Sequence, residues 1–146
     1  MSQALTTEEQ RSLRCLVGII IPASARYGVP GADDDLIFAD IVASLERDTA
    51  QVRAGLRRLD ALAGGCFADL DAARRQAVAE RFRESEAKLP PWVNVTVQCY
   101  YRDDRVMRSL GMEARPPFPG GFEVEQGDWS LLDAVRGRAK IYREAP

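Results

Sequence analysis

"PPWVNVTVQCYY" occupies residues 90–101, and its reading decides the fold. Two periodicities compete in it. Val93, Val95 and Val97 alternate with polar neighbours, as a strand would, and β-branched residues favour strands. Trp92, Val93, Thr96, Val97, Tyr100 and Tyr101 instead trace a helical stripe. The surroundings decide between them. A lone strand lacks a partner for its ladder of hydrogen bonds, and the flanking sequence reads as helical. A helix is therefore expected here, with Trp92 packed on its own bundle, and the chain is expected to be all-α.

Working outward towards the N-terminus, "CFADLDAARRQAVAERFRESEAK" (66–88) reads as a turn and then a helix. Asp69 or Asp71 is its cap, and Val78 and Phe82 are its main apolar contacts. "TAQVRAGLRRLDALAGG" (49–65) spaces Val52, Leu56, Leu59 and Leu62 on one helical face and stops at Gly64 and Gly65. "DDDLIFADIVASLERD" (33–48) opens on three acids suited to a helix N-terminus. Leu36, Ile37, Ile41, Val42 and Leu45 form its stripe, with Phe38 beside it. Near the start, Thr6 and Glu9 have capping-box spacing. Leu13, Leu16, Val17, Ile20 and Ile21 then repeat as one helical face up to Pro22.

Towards the C-terminus, "DDRVMRSLG" (103–111) predicts a short helix capped by Asp103 or Asp104. "RPPFPGGFEVEQGDW" (115–129) is a loop, because its prolines and glycines break regular structure. A last helix is expected from Asp128 or Ser130, with Leu131, Leu132 and Val135 inward. The sum is a single-domain helical bundle over residues 1–146, with six or seven helices and a Pro/Gly-rich C-terminal loop. Residues 115–146 hold that loop and the last helix.

Composition narrows the function classes. With 146 residues, 46% hydrophobic and 29% charged, the chain suits one globular domain. A net charge of −2 argues against nucleic acid, which calls for a basic face. The longest apolar run, "CLVGIII" (15–21), stops at Pro22, far short of a membrane span. The N-terminus has acids Glu8 and Glu9 where an export signal carries positive charge. The internal arginine pairs Arg57-Arg58 and Arg74-Arg75 are no twin-arginine signal. A cytoplasmic protein is expected, periplasmic only if another subunit exports it.

No histidine occurs, which removes the commonest general base, nucleophile activator and transition-metal ligand. No nucleotide-binding glycine pattern follows a strand. Cys15, Cys66 and Cys99 fit neither a disulfide framework nor a zinc pattern, so each is expected as a buried reduced thiol. Asp33, Asp34 and Asp35 point in different directions at a helix start, so capping is expected of them and not metal binding. No catalytic, cofactor or metal residue is expected on this chain. The aromatics Phe118, Phe122 and Trp129 need a surface to cover them, either this bundle or another chain.

The order of these features resembles a known family. The apolar helix ending in "LVGIIIP" is followed by "VPGADDDLIFADIV", a proline-glycine-alanine turn before an acid-capped helix. "GLRRLDALAGGCFADLDAARRQAV" comes next, with Leu59-Asp60 and Phe67 with Leu70 before a glutamine-containing helix. Then comes "CYYRDDRVMRSLGMEARPPFPGG", a tyrosine pair, a short helix, a leucine-glycine and a proline-rich loop. Over residues 12–122 this is similar to the gluconate 2-dehydrogenase subunit 3 family, the small subunits of gluconate, fructose and glucose dehydrogenases.

The resemblance implies a non-catalytic, chaperone-like small subunit. It would bind and stabilise a larger FAD-dependent glucose-methanol-choline-type dehydrogenase or oxidase acting on a sugar, glycoside or polyol. FAD would sit on that partner. Periplasmic relatives carry a twin-arginine signal on the small subunit, and this sequence departs from them there. The interface expected is Tyr100, Tyr101, Pro117, Phe118, Pro119, Phe122 and Trp129. Tyrosine is frequent at binding hot spots, the alternative being that one of the pair is core and the other half-exposed. The resemblance favours a partner over this chain's own bundle as cover for the loop aromatics. The alternative is a free-standing helical ligand-binding or interaction module with no flavoprotein partner.

Overall fold

The computed structural model describes residues 4–116, 118–121, 126–139 and 141. These form seven α-helices and three short 3-10 helices. The one β feature among them is an isolated antiparallel bridge between Ser24 and Val29. The all-α expectation holds. The chain divides into two compact units, Met1–Ala114 and Arg115–Pro146, which are taken in turn.

In the first unit, α1 spans Thr7–Ile20. Thr6 and Glu9 complete the reciprocal capping box, with Thr6 N–H donating to Glu9 Oε2 at 2.8 Å. The helix α2 (Asp35–Ser44) is capped by Asp34, which accepts from the Leu36 N–H. A 3-10 helix at Glu46–Asp48 leads into α3 (Thr49–Ala63), which ends on Gly64 at φ +73°, a left-handed backbone that glycine adopts without a Cβ clash. A 3-10 helix at Phe67–Asp69 precedes α4 (Ala72–Ser85), capped by Asp71. Pro91 opens α5 (Pro91–Tyr101), and Asp103 caps α6 (Asp104–Ser109).

Residues 91–101 are thus a helix, and it is the central one. It packs on α1, α2, α3 and α6, while α4 lies on α3. Its buried residues are Trp92, Thr96, Cys99 and Tyr100, spaced as one helical face. That face is rotated from the expected stripe: Val97 and Tyr101 are exposed, and Cys99 takes an inward place. The core also takes Leu13 and Val17 from α1, Ile37 and Ile41 from α2, and Val52, Leu56 and Leu59 from α3. On α4, Val78 and Phe82 are the buried residues, as expected.

A glycine makes the α3–α5 contact possible. A Cβ at position 55 would lie 2.6 Å from Trp92 Cζ3, inside the indole's own volume. The Trp92 ring also meets Phe82 at 5.9 Å between centroids.

Leu36 departs from expectation. It is 71% exposed although its spacing placed it in the α2 stripe. It sits in the first turn, where the helix enters from the Asp33–Asp34 corner, and Phe38 takes the buried place instead.

Ion pairs tie distant segments of the first unit together. Arg53 Nε donates to Glu9 at 2.6 Å, joining α3 to α1. Arg102 pairs with Asp40 across α5 and α2. Arg105 reaches Asp34 at 2.7 Å and Asp103 at 2.9 Å, so one guanidinium holds the caps of α2 and α6.

The second unit contains a 3-10 helix at Trp129–Leu132 and a four-residue α7 (Asp133–Arg136). Asp128 caps it, accepting from the Ser130 N–H at 3.0 Å. Leu131, Leu132 and Val135 are exposed, which corrects the expectation that they point inward. Eight helical residues closed by Gly137 give too short a face to bury one side. Among the described residues, no helix is long and apolar enough to cross a membrane.

Candidate partner surface

The tyrosine pair divides between two roles. Tyr100 is 5% exposed, and its hydroxyl donates to the Pro30 carbonyl at 3.1 Å, fastening α5 to the turn before α2. Burial pushes its phenol above the ordinary value, with the Tyr101 and Asp103 charges adding to the same direction. Tyr101 is 53% exposed and meets the Tyr100 ring edge-on at 5.2 Å. A core ring therefore props up an exposed one. Of the two, Tyr101 is the one with area to offer a partner, and Tyr100 orients it.

In the second unit, Phe118 is 84% exposed, Pro119 is exposed beside it, and Trp129 is 60% exposed. The Trp129 indole N–H donates to Gln126 Oε1 at 3.3 Å, which satisfies its polar atom and leaves the ring open. Arg115 Nη2 donates to the Gly121 carbonyl at 2.6 Å and closes the turn that presents Phe118. Pro117 and Phe122, the remaining members of the expected interface, lie outside the described residues.

The acidic corner Asp33–Asp35 is a set of separate contacts. Asp34 caps α2 and binds Arg105, whose guanidinium holds its carboxyl below the usual range against a smaller opposing effect of burial. Asp35 pairs with Arg14, and the Asp33 carbonyl accepts from Arg14 Nε at 2.9 Å. Asp103 is likewise held down by Arg105, and Glu9 by Arg53.

The thiols are only partly as expected. Cys99 is buried, and burial pushes its thiol up. Cys15 and Cys66 are half-buried and hydrogen-bonded instead. Cys15 Sγ accepts from Arg75 Nη1 at 2.9 Å, and Cys66 Sγ lies 3.7 Å from Ser12 Oγ. Cys15 and Arg75 line a small cavity of about 480 Å³ with Arg14 and Asp33.

A larger groove, about 640 Å³, lies where α1, α4 and the start of α5 meet. Its walls are mainly apolar, from Ile19, Ile20, Ala79, Leu89, Trp92 and Val93. Sequence reasoning missed it. The single available signal was the proline pair at 90–91, which turns the chain so that Leu89 stands at the mouth.

Set against known proteins, the chain matches no family model, no curated protein and no solved structure.

Proposed function

We propose that this chain is a non-catalytic accessory subunit of a larger FAD-dependent dehydrogenase or oxidase of the glucose-methanol-choline type, acting on a sugar, glycoside or polyol. FAD and the redox chemistry belong to the partner in this reading. One observation carries the association: among the described residues of the unit Arg115–Pro146, the large apolar side chains are exposed. Phe118, Trp129, Leu131, Val135 and Ile141 are all exposed there. Aromatic side chains of this kind are the usual anchors of binding hot spots. The resemblance of residues 12–122 to the gluconate 2-dehydrogenase subunit 3 family supports the identity of the partner. The absence of histidine supports a role without acid–base chemistry of its own.

Co-expression with a flavoprotein of that type encoded beside it tests the reading. The expected product is a yellow heteromer that stays together on size exclusion. Phe118→Ser with Trp129→Ser should weaken it at least tenfold, because each anchor contributes on the order of 1–3 kcal/mol. A flavoprotein that is soluble and fully active alone, and elutes apart from this chain, would sink the reading. The second reading, a free-standing ligand-binding module, draws on the 640 Å³ groove. It predicts a monomer that captures no flavoprotein.

A further inference from the structure

The groove between α1, α4 and α5 continues into an exposed stripe. Val93 lines the groove, and Val97 and Tyr101 follow it at intervals of four residues on α5. Val97 and Tyr101 are both exposed, so the apolar surface runs on for two further helical turns, roughly 12 Å. A track of this shape is open along its length and suits an elongated segment better than a compact ligand.

The rim has a sign. Arg83 and Lys88 line the groove and make no ion pair among the described residues. Of the two acids on the same rim, Glu86 is already paired with Arg58 at 2.9 Å. Glu80 accepts from Gln76 at 2.9 Å and is the one acid there without a cation. Two unpaired cations against one unpaired acid leave a surplus of positive charge beside an apolar floor.

We propose that this groove and the α5 stripe seat an amphipathic helix of the large flavoprotein subunit. Its apolar residues, repeating every three to four positions, lie on Ile19, Ile20, Val93 and Val97. Acidic residues beside that stripe meet Arg83 and Lys88. The proposal rests on the accessory-subunit reading and adds a docking site in the helical unit to the arm at residues 115–146.

The test uses the full chain and the co-expressed flavoprotein, with affinity measured by biolayer interferometry at low and high salt. Leu89→Asp with Val97→Asp changes two exposed positions, so the fold should survive, as circular dichroism will check. That pair should raise Kd at least tenfold. Arg83→Glu with Lys88→Glu, also exposed, should raise Kd several-fold and abolish the weakening that salt causes in the parent protein. If the parent protein captures the flavoprotein and both variants bind within twofold of it, the groove proposal is overturned while the accessory-subunit reading stands. If the parent protein captures none, both fall. A homodimer of this chain that the Asp pair dissolves would assign the groove to a second copy and overturn the proposal as well.

Discussion

Two phenylalanines set the two units apart. Phe67 in the unit Met1–Ala114 is fully buried, and its own N–H donates to Asp60 Oδ1 at 2.9 Å. Phe118 in the unit Arg115–Pro146 is 84% exposed, on a turn closed by an arginine–carbonyl hydrogen bond. The side chain is the same, but the first phenylalanine sits in a 3-10 helix packed on the long helices α1 and α3, and the second belongs to a unit with eight helical residues among those described. Burial needs faces long enough to oppose one another. The helical unit therefore buries a core of apolar residues, and the described large apolar residues of the C-terminal unit stay exposed.

This contrast can be broken, or sharpened, by substitution. Phe67→Ala carries the largest expected effect, a loss of about 3–5 kcal/mol by chemical denaturation, because it opens a cavity in the core. A loss below 1 kcal/mol would mean that the 3-10 helix at Phe67–Asp69 collapses onto the gap. Gly55→Ala comes next, at about 1–3 kcal/mol, since its methyl must displace Trp92 and overpacking outweighs the helix propensity gained. An unchanged melting temperature there would show that the Trp92 ring has room to move.

Thr96 gives a change of opposite sign. Its Oγ1 is buried in α5 with no hydrogen-bond partner among the described residues. Thr96→Val keeps the shape and removes the unpaired hydroxyl, so stability should rise by about 1 kcal/mol. A drop on thermal melting would reveal a partner for the hydroxyl.

Arg105→Gln tests the helix caps, at on the order of 1 kcal/mol because the groups are partly exposed. Asp34 and Asp103 have lowered values in the folded protein, so the unfolded chain binds their protons first as pH falls. Their stabilisation is present above the ordinary aspartate range near pH 4 and is lost as pH falls through the depressed values. The deficit of Arg105→Gln should therefore be full at pH 7 and shrink below about pH 4. A deficit that stays constant down to pH 2 would detach the caps from the acid response. The smallest stability effect belongs to Phe118→Ala, within about 0.5 kcal/mol of the parent. A larger loss would make the C-terminal turn part of a fold and not an arm.

Local signals were legible without the fold. The capping box at Thr6 and Glu9 and the glycine stop at Gly64 appear where the residues placed them, and of the three acids at 33–35 it is Asp34 that caps α2. Each acts within one helical turn, so its physics is complete in a few adjacent positions. The choice of helix for residues 91–101 was legible too, because helical neighbours leave a strand no partner.

Which face of that helix goes inward was decided by tertiary structure. Val97 and Cys99 are equally able to be buried, and the rotation of α5 against α1, α2 and α3 chose Cys99. The same rotation sent Tyr100 to the core and Tyr101 to the surface. Arg105 meets Asp34 across 71 positions of sequence, and Arg102 meets Asp40 across 62. The groove belongs with these, because its walls come from three helices and no one of them contains it. By itself the sequence determined where helices start, where they stop and that they are helices, since those forces are short-ranged. Only packing decided the faces, the distant ion pairs and the groove, because each depends on groups that the chain brings together after it folds.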